Sequence, residues 1–83
     1  MMNDTTKTIK HYIMEEFLPD ENPDELTEQT QLFTSGLLDS IASLNLVGFL
    51  EREFGITVEA HEVVAENLDT LVSLTQFVAS KRS

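Results

Sequence analysis

The chain contains no cysteine among its 83 residues, which excludes disulfide stapling, thiolate metal ligation and redox sensing by a thiol. Bases are scarce. Five Lys and Arg against fifteen Asp and Glu leave a net charge of −10, so nucleic-acid phosphates and anionic lipid heads are repelled while basic protein surfaces are attracted. No apolar run approaches the roughly 20 residues that cross a bilayer. The polar start Met2-Asn3-Asp4-Thr5-Thr6 lacks the basic region and apolar stretch of a signal peptide. The expectation is a soluble, cytoplasmic protein with no nucleic-acid partner and no membrane insertion. The chain is also short. At this length it reads as one domain, 1–83, with an apolar fraction of 41%, enough for a modest core but with little room for a deep catalytic cleft.

What is present is helical patterning. Ile9, Ile13 and Phe17, with Tyr12 beside them, form one stripe. They predict a first helix over about 5–17, capped by Asp4 or Thr5 and stopped by Pro19 just after Leu18. Both prolines of the chain, Pro19 and Pro23, fall in the polar stretch 19–35, which shows no sustained period and reads as a long loop pinned inward by Leu26, Leu32 and Phe33. Apolar residues then recur as Ile41, Leu44, Val47, Leu50 and Phe54, predicting a second helix over 40–54 that Gly55 closes in the left-handed region. Ile56 and Val58 alternate about Thr57 in a short extended link. Acids lead the segment 59–66, whose apolar patch is Val63 and Val64; it predicts a third helix of two turns or fewer. After a junction at 67–70, Asp69 or Thr70 caps a last helix with the stripe Leu71, Leu74 and Val78, Phe77 alongside, and Lys81 and Arg82 at its negative end. Residues 80–83 are expected to fray. The fold class is therefore all-α: a four-helix bundle with a short third helix and a long loop between helices one and two.

The most informative stretch is Gly36-Leu37-Leu38-Asp39-Ser40-Ile41. Glycine permits a turn that other residues resist, Leu37 and Leu38 anchor it apolarly, and Asp39 or Ser40 caps the following helix. Ser40 is thereby held at a fixed corner, where the unpaired donors and positive dipole end of the helix favour an attached phosphate. Acidity is concentrated ahead of this point, with nine acids and two bases in 1–39 against six acids and three bases in 40–83.

Two other chemistries fail on context. Ser40 with His11 or His61 is no hydrolase site, because Leu38-Asp39-Ser40-Ile41-Ala42 lacks the glycines of a nucleophile elbow and the domain is too small for an oxyanion hole and cleft; both histidines read as surface residues. Asp20, Asn22 and Asp24 alternate like a calcium loop, but its sixth and twelfth positions hold Glu25 and Gln31 and Pro23 intrudes, so a solvated acidic loop is expected and no metal.

An acidic helical chain with a long loop before an Asp-Ser-Ile start and a helix ending in Glu53-Phe54-Gly55-Ile56 resembles the acyl carrier and peptidyl carrier protein superfamily over 9–78, most strongly over 32–56. The wording of 36–40 is similar to free-standing aminoacyl carriers, including D-alanyl carrier proteins. The resemblance implies four helices with a short third. It also implies a 4'-phosphopantetheine arm from coenzyme A attached to Ser40, with Asp39 as the motif aspartate and no catalytic residue in the chain. Partners implied are a phosphopantetheinyl transferase, an acyl- or aminoacyl-loading ligase and a downstream transferase or synthase, and the chain is expected to act as a monomer. In fatty-acid carriers the early positions of helix two are acidic; here they are Ala42, Ser43 and Asn45, with Arg52 further on. Recognition is therefore expected to involve Leu38, Ile41, Asn45 and Leu68. The competing expectation is an unmodified acidic helical interaction module.

Overall fold

A computed structural model describes residues 3–82. Four α-helices follow in order: α1 at Asp4–Phe17, α2 at Ser40–Phe54, α3 at Ala65–Leu68 and α4 at Leu71–Arg82. Among the described residues there is no strand, and the all-α bundle with a short third helix and a long first connection is as the periodicity predicted.

The cap of α1 is Asn3, one residue before the expected Asp4 or Thr5. Its Oδ1 accepts from the Thr6 amide at 2.8 Å and from the Thr6 hydroxyl at 2.9 Å, which satisfies an orphan donor of the first turn. The Thr6 hydroxyl also meets that of Thr75 at 2.6 Å, a buried polar tie between α1 and α4. Ile9 and Ile13 face inward as expected, joined by Met14, and the Leu18 amide donates to the Met14 carbonyl as the helix ends before Pro19.

Helix α2 runs over the predicted span and closes at Gly55 (φ +66), whose amide donates to the Glu51 carbonyl. Its inward face matches the predicted stripe at Val47, Leu50 and Phe54 but not at Ile41 and Leu44. Ala42, Leu46 and Leu50 are buried, whereas Ile41 is 69% and Leu44 68% exposed. Both sets repeat at helical spacing, so periodicity alone could not choose the phase.

The third helix also departs from expectation. The segment 59–66 begins with a 3-10 turn at Ala60–Glu62, where Glu59 and Glu62 form a reciprocal capping box, and only its last two residues are α-helical. Val64 is extended, and one turn of α-helix follows it at Ala65–Leu68. The link is held where Asn67 Nδ2 donates to the Glu62 carbonyl at 2.9 Å. The backbone bond to Glu59 and the Lys81 ammonium at 2.9 Å hold the Glu62 carboxyl below its ordinary value. That same ion pair ties the last turn of α4 to the 3-10 turn, and residues 80–82 are helical where fraying was expected; Ser83 lies outside the described residues.

Leu71, Leu74, Phe77 and Val78 of α4 are buried, and α4 packs against each of the other helices. The long loop lies on the bundle, with Leu26 and Leu32 buried and Phe33 packed against the core. Its backbone is tied to the start of α4 where the Val72 amide donates to the Glu28 carbonyl at 3.2 Å. The radius of gyration, 11.7 Å, is that of a fully collapsed chain of this length, so the loop adds to the core and does not trail from it.

Candidate functional site

The site forms where the long loop turns into α2. Gly36 has φ +84, in the left-handed region that side chains disfavour. Its amide donates to the Phe33 carbonyl at 3.1 Å, and two residues later the Leu38 amide donates to the Leu32 carbonyl at 2.7 Å. Leu38 enters the core, 5% exposed, but Leu37 is 42% exposed. Only one of the two leucines anchors the turn.

Asp39, rather than Ser40, is the cap of α2: its Oδ1 accepts from the Ala42 amide at 2.8 Å. Ser40 is thus the first residue of the helix, and it is exposed. The neighbouring serines are engaged with backbone, since the Ser35 hydroxyl donates to the Gln31 carbonyl and the Ser43 hydroxyl donates to the Ser40 carbonyl at 2.6 Å. The Ser40 hydroxyl has no such partner among the described residues, which leaves it the accessible nucleophile of this corner.

Beside Ser40 lies a hollow of about 350 Å³, lined by Phe33, Leu38, Ser43, Val63, Val64 and Leu68. Of the four residues expected at a recognition surface, Ile41 and Asn45 are exposed on α2, whereas Leu38 and Leu68 are buried and line the wall of this hollow. Among the described residues, Leu37, Ile41, Leu44 and Val64 are the large apolar side chains left exposed, and three of them come from 37–44, the stretch that contains Ser40. His11 and His61 are exposed, His11 Nε2 lying 3.1 Å from Glu15 of its own helix.

Asp69, read from the sequence as a possible cap, has another role. Thr70 caps α4, its Oγ1 accepting from the Ser73 amide at 3.1 Å. The Asp69 carboxylate reaches instead across to the loop, where it accepts from the Phe33 amide at 2.7 Å, the Thr34 amide at 3.0 Å and the Thr34 hydroxyl at 2.7 Å. Burial pushes the Asp69 carboxyl up, but the Thr34 and Phe33 donors outweigh it and hold the group below its ordinary value. No local pattern signals this contact, because its partners lie 35 and 36 positions away.

Residues 13–78 match the family described as "Phosphopantetheine attachment site". The chain belongs to this family and so to the acyl and peptidyl carrier protein superfamily, whose members are non-catalytic carriers bearing covalent 4'-phosphopantetheine. It is similar, at 36% identity over 73 residues, to a probable acyl carrier protein, PigG, of Serratia sp. (strain ATCC 39006); the alignment covers 88% of this chain and 82% of that protein.

The residues at the start of α2 fit the group chemically. They offer an exposed hydroxyl for a phosphodiester, first-turn amides for its charge and, beside them, a hollow walled by apolar Phe33, Leu38, Val63 and Leu68 together with polar Asp39 and Ser43.

Proposed function

We propose that the protein is a free-standing acyl or aminoacyl carrier whose 4'-phosphopantetheine is attached at Ser40. The observation that carries this reading is the exposed, unengaged Ser40 hydroxyl at the first position of α2, at the edge of a hollow lined by both apolar and polar side chains. In the attachment step the Ser40 oxygen loses its proton and bonds to the phosphorus that carries the pantetheine of coenzyme A, and the adenosine bisphosphate half leaves. Once bound, the group supplies the terminal thiol on which cargo is held as a thioester, a reactivity absent from a cysteine-free chain.

The chain's own residues act around that bond. Asp39 holds the helix start that orients Ser40, and the first-turn amides favour the phosphate charge. A phosphopantetheinyl transferase must touch the serine it modifies, so it covers Ile41, Leu44 and Asn45. A loading ligase and a downstream transferase or synthase meet the same face. Residues 40–50 hold no charged side chain, so this contact is apolar and polar, and the net negative charge acts at longer range by drawing basic partners together. Similarity to an acyl carrier protein supports an acyl cargo, and the uncharged face of α2 supports an aminoacyl or specialised acyl cargo.

The test is intact-mass measurement after incubation with coenzyme A and a promiscuous phosphopantetheinyl transferase, followed by fragment mapping. A mass increase of one phosphopantetheine located on Ser40 is expected. Modification at another residue, or none under permissive conditions, overturns the reading.

A further inference from the structure

Asp69 concentrates more long-range polar contacts than any other residue near the site, and none of them serves its own helix. Its carbonyl accepts from the Leu32 amide at 2.7 Å while its carboxylate takes the Phe33 amide and both donors of Thr34. Three consecutive loop residues are thereby bound to the junction of α3 and α4. From that anchor the chain to Ser40 is pinned at successive points. Gly36 bonds back to Phe33, Leu38 bonds back to Leu32 and enters the core, and Asp39 caps α2. Since Thr70 caps α4, the fold does not need the Asp69 carboxylate for that helix.

We propose that Asp69 is the positioning residue for Ser40: by clamping residues 32–34 it fixes the turn that delivers the serine hydroxyl at the start of α2. The inference rests on Ser40 being the attachment residue. Removing the carboxylate leaves two backbone donors and one hydroxyl without their acceptor. Loop 32–38 then samples other conformations, Asp39 is no longer held as a cap, and the first turn of α2 frays. The exposed face at Ile41 and Leu44 remains on a helix still packed through Leu46 and Leu50. Docking is therefore affected less than transfer, because an attacking oxygen displaced by a fraction of an ångström loses rate while the surface contacts persist.

The experiment compares the full chain with Asp69→Ala, Asp69→Asn and Thr34→Val in steady-state transfer of phosphopantetheine from coenzyme A, at a temperature where circular dichroism shows all four folded. Amide hydrogen exchange is followed in parallel. Asp69→Ala is expected to lower kcat about tenfold with KM changed less than about threefold. Exchange should speed at Phe33, Thr34 and Ala42 but not at Ile13 or Leu74. Asp69→Asn, which keeps one acceptor oxygen for the backbone donors, restores most of kcat. Thr34→Val removes only the hydroxyl contact and gives a smaller loss of the same kind, which keeps the test decisive if Asp69→Ala does not fold.

Wild-type kcat in Asp69→Ala or, failing that, in Thr34→Val overturns the clamp. So does a loss accompanied by equal exchange increases across α1 and α4, the mark of plain destabilisation. If the unaltered chain is modified at Ser40 while the variants match it, only the clamp fails; if the unaltered chain is not modified at Ser40, both readings fail.

Discussion

The Leu38 amide donates to the Leu32 carbonyl at 2.7 Å, closing a loop whose one exit leads directly to Asp39 and Ser40. The loop is tight enough to need a left-handed residue, and Gly36 supplies it at φ +84. Gly36→Ala is expected to destabilise the chain by about 1 kcal/mol although nothing lies within 4 Å of the added carbon. Urea denaturation measures it, and an unchanged midpoint would show that the turn relaxes without strain.

Asp39 and Ser40 divide capping from chemistry. Asp39→Ala is expected to cost about 1 kcal/mol through loss of the bond to the Ala42 amide. Ser40→Ala, which removes no cap, should stay within about 0.5 kcal/mol of the parent while abolishing arm attachment. Thermal melts paired with intact-mass spectra check both halves, and a strongly destabilised Ser40→Ala would contradict the assignment of the cap.

The two faces of α2 should respond oppositely. Leu46→Ala, at a fully buried site, is expected to lose about 2–5 kcal/mol. Ile41→Ser and Leu44→Ser, at sites more than two-thirds exposed, should leave stability within about 0.5 kcal/mol. Their effect belongs in transferase kinetics, as a raised KM. If both serine variants are modified with wild-type KM, the docking face lies elsewhere.

The pH dependence follows from Asp69 and Glu62. Both carboxyls sit below their ordinary values of 3.8 and 4.5, so each adds stability that is fully present above those values and lost as the pH falls through the lowered ones. The chain should therefore weaken on acidification below about pH 4.5. Asp69→Asn should flatten part of that slope; an unchanged slope in denaturation series would remove Asp69 as its source.

Ionic strength separates steering from contact. Because the chain carries −10 while residues 40–50 are uncharged, added salt is expected to lower kcat/KM for arm transfer and leave kcat nearly constant. A kcat/KM indifferent to salt would mean that the acidity has no part in finding the partner.

The helix termini set by side-chain chemistry could be read from the residues themselves. Pro19 after Leu18 and Gly55 after Phe54 each act within one turn of their own position, and so does the start of α2 at Ser40, whereas Asp69 and Thr70 before Leu71 mark the start of α4 without saying which of them caps it. The phase of α2 could not be read in this way. Ile41 and Leu44 lead at helical spacing to Leu50, and so do Ala42 and Leu46, and the choice between the two starts is made by packing against α1 and α4, which the local pattern does not contain. The third helix misled for a related reason, since the Glu59–Glu62 capping box closes a 3-10 turn before the helix begins. At the site, the Ser40 corner was visible because glycine, aspartate and serine act on adjacent backbone. The Asp69 contacts were not, because an aspartate ahead of a helix looks the same whether it caps that helix or reaches a loop distant in sequence.

Ile41 and Leu44 stand outside the core permanently, before any partner arrives. Two such side chains one turn apart are an invitation to stick to another copy, and mutual repulsion between molecules of charge −10 is what counters it. Near the isoelectric point of about 4.3 that repulsion vanishes, while the Asp69 carboxylate, held below its ordinary value, still keeps its contacts. Concentrated solutions should therefore turn cloudy there, and Ile41→Ser should keep them clear.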